Sequence, residues 1–168
     1  MVENLDTAVI SVVSEVFETM FFMVVDPPGD TEGIHPPGGI RSNHSGELVE
    51  ASLPNFLVSE IGFRGKASGK ITLFLPRALA QKMASNFMGL EETEVSESQI
   101  LDVAGELTNM ISGNLLSRVD RKTNYQITLP RAGKISDREM RDGLQGSEGT
   151  LEFGVEGQTV ILHIHWEP

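Results

Sequence analysis

Residues 96–120, SESQILDVAGELTNMISGNLLSRVD, decide how the rest of the chain is arranged. Ser96 and Gln99 have the spacing of a capping box, and Val95 and Ile100 occupy hydrophobic-staple positions. A helix should therefore start here and run to about Asp120. At about 100° per residue, Ile100, Val103, Ala104, Leu107, Ile111 and Leu115 gather on one side, the face a sheet would bury. Asp102, Glu106, Asn109 and Gly113 fall opposite, within a stripe roughly 60° wide. A solvated polar face is the ordinary meaning of such a stripe, but its composition argues for more. Asn is a mediocre helix former, and Gly costs roughly 1 kcal/mol relative to Ala in a helix interior. A ridge that needed only solubility would use Glu, Lys or Gln. Glycine at position 113 also lets another surface approach the backbone closely.

The flanks of this helix read as an antiparallel sheet with helices laid over it. Upstream, Phe56 to Phe63 and Lys70 to Leu75 have strand character and are joined by the Gly65–Gly69 turn, which predicts a hairpin. Pro76 then opens a short helix at a position where its missing N–H does no harm. Leu79, Met83, Phe87 and Leu90 supply that helix with an apolar stripe. Asp6 to Val25 is amphipathic: Val9, Val12, Val13, Val16, Phe17, Met20 and Val24 recur at helical spacing, and Pro27 and Pro28 end the helix. Its Met and Phe residues are expected in the core. Asp26 to Glu47 (DPPGDTEGIHPPGGIRSNHSGE) has no apolar period and reads as a long mobile loop inside a single domain spanning 1–168. Downstream, Tyr125 to Leu129 is a candidate strand closed by Pro130, and Arg131 to Gly149 is polar and poorly patterned. Thr150 to Val155 and Thr159 to Trp166 form a second hairpin around Glu156-Gly157-Gln158. This order predicts an α+β fold, an antiparallel sheet covered by long helices. Two halves, each a long helix followed by a hairpin-like region, suggest an internal duplication.

Composition narrows the function. At 168 residues the chain suits one domain that buries roughly 70% of its unfolded surface. It has no cysteine, which excludes disulfides, Cys-ligated metals and a thiol nucleophile. The first residues, MVENLDTAVISVV, are acidic where a signal peptide is basic, and no apolar run approaches the ~18 residues of a membrane span. A soluble, cytoplasmic protein is expected. A net charge of −11 disfavours nucleic acid, whose backbone is bound by clustered Lys and Arg, and suits a partner with a basic rim.

Asp102-x3-Glu106-x2-Asn109, followed by Pro130, resembles the signature of the CheX/CheC/FliY phosphatases of bacterial chemotaxis. ILDVAGELTNMISGN (100–114) is similar to the centre of that signature, and GFRGKASGKITLFLP (62–76) and FETMFFM (17–23) extend the likeness over most of the chain. The resemblance implies a pseudo-duplicated CheC/CheX-like fold and a CheX-like activity: hydrolysis of the aspartyl-phosphate on a CheY-like receiver domain of a response regulator. The receiver would supply the phospho-aspartate and its Mg²⁺, so this chain would need no cofactor and no metal of its own. Its part would be to orient a water in line, because phosphoryl transfer is mostly positioning and electrostatics. The resemblance makes Glu106 and Asn109 the catalytic pair. The Asn109 carboxamide can accept a proton of the water while donating to neighbouring acceptors, and Glu106 would pair with a receiver lysine beside the phosphate. Asp102 and Gly113 would lie at the contact edge as partner-binding residues. Homodimerisation is a further implication, with terminal strand edges such as Thr159–Trp166 pairing between protomers.

Ser11-x3-Glu15-x2-Glu18 repeats the motif spacing on the first helix, but Glu18 stands where two-site members of that family carry Asn. A carboxylate cannot donate a hydrogen bond and would repel a phosphoryl oxygen. This copy is expected to be inactive, which leaves a single site. The main rival is a binding module, an adaptor or flagellar-switch domain that docks receivers and accelerates nothing. A small-molecule hydrolase is disfavoured because no nucleophile–base set is evident: GKASG (65–69) is not Gly-x-Ser-x-Gly and lies in a turn. No phosphate loop or dinucleotide fingerprint is present. His163 and His165 share a strand face with no further ligand indicated. His35 and His44, near Asp30 and Glu32, are the remaining cation candidate.

Overall fold

In a computed structural model, which describes residues 5–28, 56–145 and 149–167, the chain runs α1 (Leu5–Phe21), β1 (Val25–Asp26), β2 (Phe56–Arg64), β3 (Ser68–Pro76), α2 (Arg77–Met88), α3 (Glu97–Val119), β4 (Gln126–Ile127), β5 (Arg131–Ile135), α4 (Asp137–Leu144), β6 (Thr150–Val155) and β7 (Gln158–Glu167). The strands form one antiparallel sheet in the order β1-β6-β7-β3-β2, with β4 and β5 in succession along the outer side of β2. This is the expected α+β architecture.

α3 starts where its cap is written. The Ser96 hydroxyl accepts from the Gln99 N–H at 3.2 Å and the Gln99 side chain accepts from the Ser96 N–H at 2.8 Å, satisfying donors that the first turn leaves orphaned. Glu97 pairs with Arg77 of α2 and, at 3.2 Å, with Lys134 of β5, tying the helix start to both neighbours. All six residues expected to face the sheet are buried, and so are Gly105, Thr108, Ser112 and Leu116. The covered arc is therefore wider than the apolar stripe, because α3 is packed on its flanks as well as from below.

β2 shows the two-residue alternation of a half-buried strand, with Leu57, Ser59, Ile61 and Phe63 buried on the helix side. The central strands β3 and β7 are apolar on both faces. Ile71, Leu73, Leu75, Val160, Leu162 and Ile164 join the core beneath the long helices, while Phe74 and Ile161 turn the other way to meet Met140 of α4. The closing hairpin turns at Glu156 and Gly157, with φ of 52° and 73°, the two positive values that a type I′ turn requires.

Several expectations need correction. α1 stops at Phe21, short of Val25: Phe22 takes a left-handed φ of 56°, and the Met23 N–H reaches back to the Phe17 carbonyl at 3.1 Å. The prolines follow this end and do not cause it. Beyond Phe22 the period changes from helical to extended, so Met23 and Val25 are buried and Val24 is exposed; Met20, still within α1, and Phe22 are exposed too and not core. Phe87 and Leu90 of the α2 stripe are exposed too. The stretch read as unpatterned contains β5 and α4. The Ser136–Glu139 capping box of α4 (N–H to Oγ 3.2 Å, N–H to Oε2 3.0 Å) is complete, yet only Met140 on this helix is buried, so no apolar period announces it. Thr159–Trp166 is no free edge, because β7 lies between β6 and β3. Most of the Asp26–Glu47 stretch, with His35 and His44, lies outside the described residues. Among those described, no helix is long and apolar enough to cross a membrane, and no group of three or more His, Asp or Glu could hold a metal.

His163 Nδ1 lies 3.0 Å from the Thr150 hydroxyl. Partial burial, and then the neighbouring His165, push its pKa below the usual imidazole value. A depressed histidine favours the neutral folded form. Its contribution to stability is full above the unfolded pKa and is lost as pH falls towards and through the folded one. Denaturant midpoints measured from pH 7.5 down to pH 5.5 (about one unit either side of 6.5) should fall less steeply in His163→Gln than in the wild type.

Candidate functional site

The ridge is built as the wheel requires. Asp102 and Glu106 are exposed, and Asn109 and Gly113 are half-buried, all on the side of α3 away from the sheet. Neither the Glu106 carboxylate nor the Asn109 carboxamide has a hydrogen-bond or ion-pair partner among the described residues. The neighbouring Asn114 is different: its amide donates to the Met110 carbonyl at 2.9 Å. Asn109, unlike Asn114, has no part of its carboxamide engaged among the described residues. A Cβ added at Gly113 would meet nothing within 4 Å, so the ridge ends in a place where another surface can reach the helix backbone.

What borders the ridge was not readable in advance. The expected strand Tyr125–Leu129 shrinks to Gln126–Ile127, paired with Arg64 and Phe63. Thr128 continues the pairing: its N–H donates to the Gly62 carbonyl at 2.9 Å and its hydroxyl accepts from the Gly62 N–H at 3.0 Å. Pairing resumes at Arg131 opposite Glu60. Leu129 and Pro130 therefore both oppose Ile61, a β-bulge, a device that re-aims side chains and recurs beside functional sites. It turns Pro130 onto α3, where a Cβ on Gly105 would lie 3.4 Å from the proline ring, and it leaves Leu129 87% exposed. Gly105 thus lets the loop close against the helix one residue before Glu106. At the Gly113 end, Leu116, Ser117, Thr123, Asn124, Tyr125 and Ile127 complete a hollow of about 400 Å³. The site is an acidic and amide ridge beside an apolar bulge, with a hollow at one end.

The matching face of α1 is closed by contrast. Arg118 of α3 pairs with Glu15, and its other terminal nitrogen donates to the Ser11 hydroxyl at 2.7 Å. Two of the three residues of the repeated motif are consumed by a contact between the helices.

A second groove, of about 580 Å³, includes Lys70, Ser68, His165 and Glu167. His165 there pairs with Glu167 at 3.1 Å, and Lys70 pairs with Glu60 at 3.0 Å. Ser68 donates to Glu167 at 3.4 Å, not to an imidazole, so the groove offers no hydroxyl–base pair for hydrolysis.

Comparison with known proteins bears on the fold and the family. No curated protein matches the chain. Solved structures match its fold: chemotaxis protein CheX from Vibrio vulnificus (TM-score 0.67, 16% identity, covering 99% of both chains), and the CheX chain of a CheX–CheY–BeF3–Mg²⁺ complex from Borrelia burgdorferi (TM-score 0.66, 17% identity, covering 100% of both). FliY from Thermotoga maritima is also similar (TM-score 0.59, 15% identity, covering 98% of this chain and 87% of that one). The family described as "Chemotaxis phosphatase CheX" matches residues 57–153, more than half of the chain, including the whole of α3 and the bulge. The protein belongs to the CheX family.

Proposed function

We propose that this protein accelerates hydrolysis of the aspartyl-phosphate on a CheY-like receiver domain, with Glu106 and Asn109 as the catalytic pair. The observation that carries this reading is that these two side chains, one turn apart on the ridge, have no partner within the described chain, while Ser11 and Glu15 of the α1 repeat are held by Arg118. Unpartnered polar groups held on a rigid helix are preorganised for a ligand. The receiver contributes the phosphoryl group and its Mg²⁺. Asn109 holds the attacking water in line, accepting from it and donating to an adjacent acceptor. Glu106 meets a cationic group beside the phosphate. Asp102 and Gly113 lie along the same contact, and Leu129 supplies exposed apolar area next to it. The complex of a related fold with CheY supports a receiver as the partner, and the proposal with it is that the protein acts in the cytoplasm. A second copy of the chain is a further proposed partner; β7 does not offer it an edge.

The test is the lifetime of the phosphorylated form of a receiver domain from the same genome, with Mg²⁺, in the presence and absence of the protein. A shortened lifetime supports the phosphatase. An unchanged lifetime on demonstrated binding supports the adaptor reading, which the likeness to FliY keeps in play. The α1 copy makes a separate prediction. In an Asn109→Ala background, Glu18→Asn should restore no acceleration, because Glu15 stays engaged by Arg118. Recovery of activity in that double variant would show that the inter-helix pair does not close the second face.

A further inference from the structure

Of the eight large hydrophobic side chains exposed among the described residues, two, Ile127 and Leu129, flank the ridge. The other six, Met20, Phe22, Val24, Phe87, Met88 and Leu90, belong to the two segments that meet where the rings of Phe21 and Phe87 lie 6.3 Å apart, at the C-terminal ends of α1 and α2. Phe22 is the extreme case, 89% exposed with φ at 56°. For a bulky non-glycine residue the left-handed region is a genuine outlier. The turn closes α1, where glycine is the usual residue, so a bulky ring kept there while burying almost nothing points to a use outside the fold. The repeated spacing sharpens the point. Ser11, Glu15, Glu18 and Phe22 correspond to Asp102, Glu106, Asn109 and Gly113, so an aromatic ring stands where the ridge has an open glycine.

The surroundings are acidic. Neither α1 nor α2 has a basic residue in its last turn, so each brings an uncompensated carbonyl end, roughly half a negative charge, to this place. Glu18 and Asp26 are exposed, and Glu91, Glu92 and Glu94 follow Leu90 on the surface. The lysine of α2, Lys82, is already paired with Glu156 at 2.7 Å.

We propose that this surface is a second docking site, for an amphipathic segment whose apolar face is flanked by Lys or Arg. Apolar anchors inside a rim of one sign are the pattern by which helical ligands with the opposite charge are recognised. The proposal does not rest on the phosphatase reading, since none of its residues lies on α3.

The experiment titrates the full chain into two labelled helical peptides that share one leucine face, one with lysine flanks and one with glutamate flanks, followed by fluorescence anisotropy. The lysine peptide should bind, more weakly at high salt, and the glutamate peptide should not. Phe22→Gly and Phe87→Ser should each weaken lysine-peptide binding by about tenfold or more, and Asn109→Ala should leave it unchanged. Phe22→Gly should also raise the thermal midpoint, because glycine accepts a positive φ freely, which separates a lost contact from a lost fold. Equal binding of both peptides, binding of neither, or binding indifferent to Phe22→Gly overturns the proposal. A wild-type dimer in light scattering that Phe22→Gly dissociates also overturns it, because the occupant would then be a second copy.

Discussion

Asn109→Ala should reduce the protein's acceleration of receiver dephosphorylation by about 10²–10³ while leaving the fold intact. The size follows from what the carboxamide would do: aim one water along the line of attack, a positioning effect that an in-line reaction depends on heavily. The absence of a structural penalty follows from the same geometry. Asn109 makes no hydrogen bond within the described chain, so its removal strands no buried partner. Ala is also the better helix former, by several tenths of a kcal/mol, so the thermal midpoint should hold or rise slightly. Asn109→Asp is the sharper companion. It keeps the shape, removes the donor and adds a charge facing the phosphoryl oxygens, and it should be at least as slow as the alanine variant. Phosphate-release or radiolabel decay with receiver and Mg²⁺ measures the rate, and a binding titration under the same conditions shows whether docking survives. Acceleration that persists in Asn109→Ala would move the chemistry off the ridge.

Gly69→Ala should be the most destabilising of these substitutions, by about 3 kcal/mol, a large part of the 5–15 kcal/mol that holds a typical domain together. A Cβ at Gly69 would lie 2.1 Å from the His165 carbonyl oxygen and 2.7 Å from the Phe63 ring. The first neighbour is backbone of the adjacent central strand, where Gly69 pairs with Trp166. The second is wedged, with the Phe63 ring 4.9 Å from Trp166 and 5.9 Å from Tyr125. Neither can swing away as a surface side chain would. For a chain of this size the thermal midpoint should drop by roughly 6–12 °C. Gly113→Ala is the control: with nothing near its added methyl, it should gain up to about 1 kcal/mol of helix propensity. Equal midpoints for Gly69→Ala and wild type would show that β7 yields at this crossing.

The sequence by itself determined those features whose causes lie within a turn or two of chain. The Ser96 cap, the buried face of α3, the outward stripe of Asp102, Glu106, Asn109 and Gly113, and both principal hairpins all follow from local hydrogen bonding and periodicity. The tertiary structure alone decided the rest, because burial and partnership depend on residues distant in sequence. Asn109 is open and Glu15 is closed because Arg118 reaches across from α3. Pro130 borders Glu106 because a bulge opposite Ile61 turns it onto Gly105. β7 is central and not an edge because β6 lies along its outer side. α4 went unseen because a helix that buries only Met140 needs no apolar stripe. Val24 fits the helical period, yet the chain leaves the helix at Phe22. An apolar residue's period predicts burial only while the backbone geometry that defines the period continues.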